Sequence, residues 1–351
     1  MTHTVELKSG KYSFYADAHE SILDAAIRAG VPLNYGCSNG NCGLCKAKVV
    51  SGPTTQMRKH DFVIRDADKI QGYALMCSTS CQGDVVIDAD LVTSASDIPV
   101  QELRIKVRKI DRVSDNLAII TLQVPRTVRL RFIAGQYVRV YDDKQRSHEY
   151  AIASCPCDEN RIEFHVRKLE DDAFSRMVFN QLSVGDWLNI QGPYGDFVID
   201  DTKDAPIVMI AFDTGFAAIK SLLEHVTAQD KERSIYLYWL ACGPEGLYLD
   251  NLCRSWDDAL DEMHYIPLHM SRSVNEILDN QYEGMCAIED KLTASLHYIE
   301  QVKNAEVFIV SPNLVAKLVQ QLLIEKGFRE TQIHHEVVRG NPNLKCIHSS
   351  A

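Results

Sequence analysis

Tyr35-Gly36-Cys37-Ser38-Asn39-Gly40-Asn41-Cys42-Gly43-Leu44-Cys45-Lys46 decides how this chain is read. Its three cysteines follow the spacing C-x4-C-x2-C, and a fourth, Cys77, comes later in Leu75-Met76-Cys77. At that spacing four thiolates hold a [2Fe–2S] cluster, which moves single electrons. Three thiolates converging on one small group need a backbone that folds tightly around it. Gly36, Gly40 and Gly43 permit positive φ and close approach, and their amides can point at the sulfurs and tune the reduction potential. A zinc site is the competing reading. Zinc ligands usually come as C-x2-C knuckles at both ends, and these are missing here.

Working outward, Tyr12-Ser13-Phe14-Tyr15 alternates as a short strand does. Glu20 to Ala29 carries Ile22, Leu23, Ala26 and Ile27 on one helical face and is stopped by Gly30 and Pro32. Strands are predicted at Ala47 to Val50 and Asp84 to Asp88. Residues Val5 to Asp88 resemble a plant-type ferredoxin domain, with C-x-x-G-x-C-G-x-C matched at Cys37, Gly40, Cys42, Gly43 and Cys45, and Leu-x-Cys at Cys77. The resemblance implies an α+β β-grasp fold whose metal ligands are Cys37, Cys42, Cys45 and Cys77. It leaves Cys81 as a plain buried thiol.

Ala89 to Val100, polar in its middle and with a proline near its end, reads as a domain boundary. Beyond it come β-type runs at Ile105–Val107, Leu117–Val124, Tyr137–Tyr141, Tyr150–Ala153, Ile162–Val166 and Trp187–Gln191, a spacing that predicts a small antiparallel β-barrel. Gly135-Gln136-Tyr137, His148-Glu149-Tyr150-Ala151 and Gly192-Pro193-Tyr194-Gly195 stand on these strands. Together they resemble the flavin domain of the ferredoxin–NADP reductase superfamily. There an R-x-Y-[ST] strand packs Tyr on the FAD ring, places Ser/Thr near N5 and puts Arg on the pyrophosphate; a G-x-x-S step then opens a helix whose amides hold the same phosphates. This chain keeps Tyr150 but has His148 for Arg and Ala151 for Ser/Thr. Its second motif reads Asp172-Ala173-Phe174-Ser175, so Ser175 survives and the glycine does not. An inward-facing Asp172 repels a pyrophosphate; Arg176 and a protonated His148 are the candidates to compensate.

Pro206 to Phe212 is a continuous apolar run, as a buried parallel strand is. Alternation then continues with a helix at Phe216–His225, a strand at Ser234–Leu240, part of a helix at Ala259–Met263, a strand at Val307–Val310 and a helix at Leu314–Lys326. That order predicts a doubly wound α/β domain, like a nucleotide-binding one. Ferredoxin, barrel and α/β in series resemble reductase components of bacterial oxygenases and the glucoseen reductases of deoxysugar synthesis. The expected domains are 1–92, 100–200 and 201–340, with a tail at 341–351. The family's nicotinamide motifs are altered. Its G-G-T-G-x-x-P loop is here Phe212-Asp213-Thr214-Gly215-Phe216-Ala217-Ala218, which keeps Thr214 and Gly215. Its C-G-P loop is Val310-Ser311-Pro312, its Gly-x-Arg is Leu240-Ala241-Cys242, and its E-x-F is Glu336-Val337-Val338. Ser271-Arg272 matches the S-R step on the adenosine side.

The resemblance implies an electron-transfer enzyme that takes hydride from NAD(P)H on FAD and passes electrons through the [2Fe–2S] cluster to a terminal oxygenase, hydroxylase or related enzyme. The altered nicotinamide loops leave a second reading open: a relay without nucleotide activity, fed by an upstream reductase. A net charge of −11 argues against a general nucleic-acid binder and suits docking to a basic partner. Met1-Thr2-His3-Thr4-Val5-Glu6 has no basic region before an apolar core, and Ile207–Ala211 and Val307–Val310 are too short to span a bilayer. With 11 cysteines, an odd number, reduced thiols in a cytoplasmic protein are expected, and Cys155-Pro156-Cys157 reads as an incidental pair.

Overall fold

Alternating burial along Thr2–Leu7 (β1) and Ser13–Asp17 (β2) gives each strand one apolar face. The computed structural model describes residues 2–35, 40, 43–58, 63–92, 95–124, 130–158, 161–169, 172–229, 233–243, 246–270 and 281–338. The helix Ile22–Arg28 (α1) begins where the Ser21 side chain accepts from the Asp24 amide at 3.0 Å. It buries Ile22, Leu23, Ala25, Ala26 and Ile27 in the core of the first sheet. Lys46–Ser51 (β3), Thr54–Gln56 (β4), Asp66–Ile70 (α2), Tyr73–Leu75 (β5), Thr79–Cys81 (β6) and Val85–Asp88 (β7) complete this unit. The sheet order is β2-β1-β7-β3-β5, with β4 and β6 as a separate pair.

Next come Gln101–Arg112 (β8), Leu117–Gln123 (β9), Tyr137–Tyr141 (β10), Ser147–Ala151 (β11), Arg161–Arg167 (β12), the helix Ala173–Asn180 (α3) and Trp187–Tyr194 (β13). They form an antiparallel sheet in the order β11-β10-β13-β8-β9-β12. It curls into a half-barrel: just past β11 the Ala153 amide reaches the Glu163 carbonyl of β12 at 2.8 Å. Phe174 and Val178 of α3 enter the same core as Tyr150.

Ile207–Phe212 (β14), Phe216–Ala228 (α4), Ile235–Cys242 (β15), Asp250–Ala259 (α5), Met263–Met270 (β16), Gln281–Ser295 (α6), Glu306–Ser311 (β17), Asn313–Glu325 (α7) and Ile333–Val337 (β18) follow. The strands are parallel in the order β16-β15-β14-β17-β18. Along β14, Met209 and Ala211 join α4 and α5 in one core, whereas Val208, Ile210 and Phe212 join α6 and α7 in another. Burial on both faces is why this strand reads as an unbroken apolar run. The topology reverses between β14 and β17, and a crevice at such a switch point is where open α/β sheets bind ligands.

Two expectations need correction. Ala259–Met263 is not part of a helix: α5 ends at Ala259, and Met263 opens β16. The Tyr150–Ala153 strand begins and ends earlier, at Ser147 and Ala151, because β11 pairs with all of β10 in that register. Among the described residues no helix is long and apolar enough to cross a membrane.

Candidate functional site

Two of the four expected cluster ligands, Cys37 and Cys42, lie outside the described residues. The other two meet. Cys45 ends the loop just before β3, Cys77 sits in the short turn after β5, and both are buried. A bond from Cys45 brings the Cys77 thiol down to about 6; burial opposes this, while Ser78 (3.5 Å) and the Gly40 amide assist. Cys81, on β6, goes the opposite way, pushed up to about 11 by burial and by Glu20 and Asp84. At Gly43 (φ 78°) a Cβ would stand 2.8 Å from Val63 Cγ1, so the loop passes where only glycine fits. A low-pKa sulfur, a second buried thiol and an amide facing sulfur form a donor set that suits an anionic iron–sulfur cluster.

On the half-barrel, His148, Tyr150, Asp172 and Ser175 form one buried cluster. Asp172 caps α3, accepting from the Ser175 amide at 2.7 Å through Oδ2. The same oxygen accepts from Tyr150 Oη at 3.2 Å, and Oδ1 lies 2.7 Å from His148 Nδ1. His148 Nε2 is 3.4 Å from Asp142 Oδ2, which also accepts from Arg146 Nε at 2.7 Å. The bond to Asp172 raises the His148 pKa, against the pull of burial and with help from Asp142. Burial works against the Asp172 charge, but His148, the Ser175 amide and Tyr150 outweigh it and hold its pKa below the carboxylate range. Tyr150 is 2% exposed, its ring 5.0 Å from Phe174 and 5.9 Å from Phe164. Arg176 is exposed on α3.

Ala151 faces Thr214 and Gly215 across a gap also lined by Tyr150, His165 and Glu336. The gap encloses about 10 Å³, room for roughly one water. Its far wall is the switch point, and it too is internally paired. Asp213, at φ 51°, receives Arg167 of β12 in a two-pronged pair, at 2.6 Å from Nε and 2.5 Å from Nη2. Trp239 Nε1 donates to the Asp213 carbonyl at 3.1 Å, and its ring stacks on Phe216 at 3.9 Å. Gly215 is tight for a packing reason: a Cβ there would lie 2.6 Å from the Val310 carbonyl. Behind it, Lys220 of α4 reaches Glu163 at 3.2 Å, Glu224 at 2.6 Å and the Ala153 carbonyl at 3.1 Å. Burial disfavours the Glu163 charge, yet His165 and Lys220 prevail and bring its pKa to about 2.

The ring-side wall expected for a flavin is therefore present, but the crevice as arranged does not fit one. The gap is too small, and the helix N-terminus that would take phosphate carries the chain's own carboxylate. Ser271 and Arg272 lie outside the described residues. Arg167, Asp142 and the Glu163–Lys220 pair were not singled out from the sequence; Arg167 and Glu163 meet their partners, Asp213 and Lys220, only across long separations in the chain. Cys155 and Cys157, read as incidental, are joined in a disulfide, since a C-x-C turn brings them together. A larger cavity of about 310 Å³ lies where Tyr12, Val31 and Tyr35 face Phe132, Cys157 and Ile199.

Comparison with known proteins follows the same modules. Residues 5–82 match the 2Fe-2S iron-sulfur cluster binding domain and residues 104–199 the oxidoreductase FAD-binding domain. The chain is 31% identical over 268 residues to the CDP-6-deoxy-L-threo-D-glycero-4-hexulose-3-dehydrase reductase of Yersinia pseudotuberculosis serotype I (strain IP32953), covering 76% of this chain and 80% of the relative. It is 27% identical over 345 residues to the propane 2-monooxygenase reductase component of Gordonia sp. (strain TY-5), covering 95% and 96%. Among solved structures, a ferredoxin reductase in carbazole 1,9a-dioxygenase shares the fold, with a TM-score of 0.56, 18% identity and coverage of 96% and 98%.

Proposed function

The chain belongs to the family of reductases in which a [2Fe–2S] ferredoxin domain is fused to an FAD-binding oxidoreductase module, and from that premise we propose how its own residues divide the work. The family carries electrons from NAD(P)H through FAD and the cluster to oxygenases. In this chain Cys37, Cys42, Cys45 and Cys77 hold the cluster, which supplies single-electron transfer when bound. Gly40 brings its backbone amide to the Cys77 sulfur. The modules divide at 1–92, 100–200 and 201–340. His148, Tyr150, Ala151, Ser175 and Arg176 stand on the flavin side; Thr214 and Gly215 stand on the nicotinamide side. The acceptor is a terminal oxygenase or a deoxysugar dehydrase, the classes that the relatives' names print.

The observation that carries this is the meeting of Cys45 and Cys77, both buried and hydrogen-bonded to each other beside the Gly40 amide, while Cys81, four residues further along, sits on β6. Anaerobic reconstitution tests it. Wild type and Cys81→Ser take up two irons per chain, as a [2Fe–2S] centre requires, and Cys77→Ser does not; an iron-free wild type overturns the assignment. The Arg167–Asp213 pair across the crevice favours a second reading, in which electrons reach the cluster from another protein. Oxidation of NADH or NADPH with cytochrome c as acceptor separates the two, and appreciable turnover with either nucleotide rules out the relay.

A further inference from the structure

We propose that Asp172 is a built-in competitor for the flavin pyrophosphate, so that this chain binds FAD weakly and exchangeably. The inference rests on the reading of residues 104–199 as an FAD-binding module. A pyrophosphate in such a module asks for helix N-terminal amides and a nearby cation. Here the Ser175 amide and the His148 ring are already engaged. One carboxylate, 4% exposed, holds the Ser175 amide, Tyr150 Oη and His148 Nδ1 together. The second nitrogen of His148 faces Asp142, which is 3% exposed and paired with Arg146. A dinucleotide entering this seat meets two buried carboxylates, the imidazole they share and Arg146. It must displace Asp172 from three partners before its own phosphates can use any of them.

The displacement is coupled to the ring site. Phe174, two residues along α3, packs on Tyr150 at 5.0 Å and on His148 at 5.8 Å. Moving Asp172 out of the helix N-terminus therefore moves the side chain that covers the tyrosine. One local opening exposes both halves of the seat. The affinity observed for FAD is then the affinity of the open arrangement reduced by the fraction of molecules that are open.

The test is equilibrium titration of the cluster-loaded full chain with FAD, followed by flavin fluorescence. It compares wild type, Asp172→Gly and Asp172→Asn. Glycine restores the family's residue; asparagine keeps a neutral helix cap, so one variant at least folds. Cluster absorption and the urea midpoint report folding separately. Both variants are expected to bind FAD about ten-fold more tightly or better, because a charge-assisted set of bonds is no longer broken on binding. If Asp172 is only a helix cap, the urea midpoint falls while FAD affinity stays level or weakens, and the proposal is overturned. Tight wild-type binding unchanged by either substitution also overturns it, yet leaves the flavin module standing. Failure of wild type and both variants to bind FAD overturns the flavin reading itself.

Discussion

The Arg167–Asp213 pair joins the half-barrel to the switch point of the parallel sheet, and breaking it should loosen that junction measurably. Asp213 is 5% exposed at its side chain and Arg167 17%. Removing one partner of a buried pair costs about 3–5 kcal/mol because the other charge is left uncompensated. Arg167 keeps some contact with water, so the lower end applies, about 3 kcal/mol for Asp213→Gly. Asp213→Ala should cost about 1 kcal/mol more, because its φ of 51° suits aspartate or glycine better than alanine. Arg167→Leu alone strands the Asp213 carboxylate and should cost a similar amount, about 3 kcal/mol. Combined with Asp213→Gly it removes both charges, and the double variant should recover about 2 kcal/mol relative to the sum of the singles. The assay is urea unfolding followed by tryptophan emission. Trp239 reports directly, since its indole bonds the Asp213 carbonyl and stacks on Phe216. A coupling energy below about 0.5 kcal/mol would place the pair with ordinary surface ion pairs and refute the reasoning.

Two further outcomes follow from the same region. Gly215→Ala should destabilise by about 1–3 kcal/mol, as overpacking does, because its Cβ would lie 2.6 Å from the Val310 carbonyl of β17; an unchanged urea midpoint would show that the strand yields freely. The His148 cluster should give stability a bounded pH window. With its pKa raised, His148 contributes fully below the ordinary histidine value of 6.5, and the contribution is lost as pH rises through the folded value. With pKa lowered, Asp142 and Asp172 contribute fully above 3.8 and lose their share as pH falls through their folded values. Melting temperature against pH for wild type and His148→Gln checks this: the variant should lose the decline on the alkaline side, and parallel curves there would remove His148 from the account.

What the sequence showed and what it hid divide along contact distance. The cluster loop was legible because three of its cysteines are neighbours in the chain. The half-barrel and the central strands β14, β15 and β17 were legible because burial on one or two faces writes a period into the sequence. β16 was not, because Pro267 and the histidines at 264 and 269 interrupt any alternation. Among the described residues it lies at the sheet edge, paired with β15 alone, where a strand tolerates proline. β18, at the opposite edge, carries His334, His335 and Glu336 for the same reason.

The two acids at 172 and 213 raise a different question, since each stands where the related motif has glycine. Read singly, each looks like damage to an anion site. In three dimensions each is matched by a basic side chain on a strand of the half-barrel: His148 of β11 for Asp172, Arg167 of β12 for Asp213. A lone carboxylate at either position, 4% exposed, would carry a burial penalty of several kcal/mol, so removing the basic partner while keeping the acid should be costly. The crevice of this chain is thus a packed, internally paired junction, and any nucleotide or flavin that uses it must exchange one set of polar pairs for another rather than fill an open cleft.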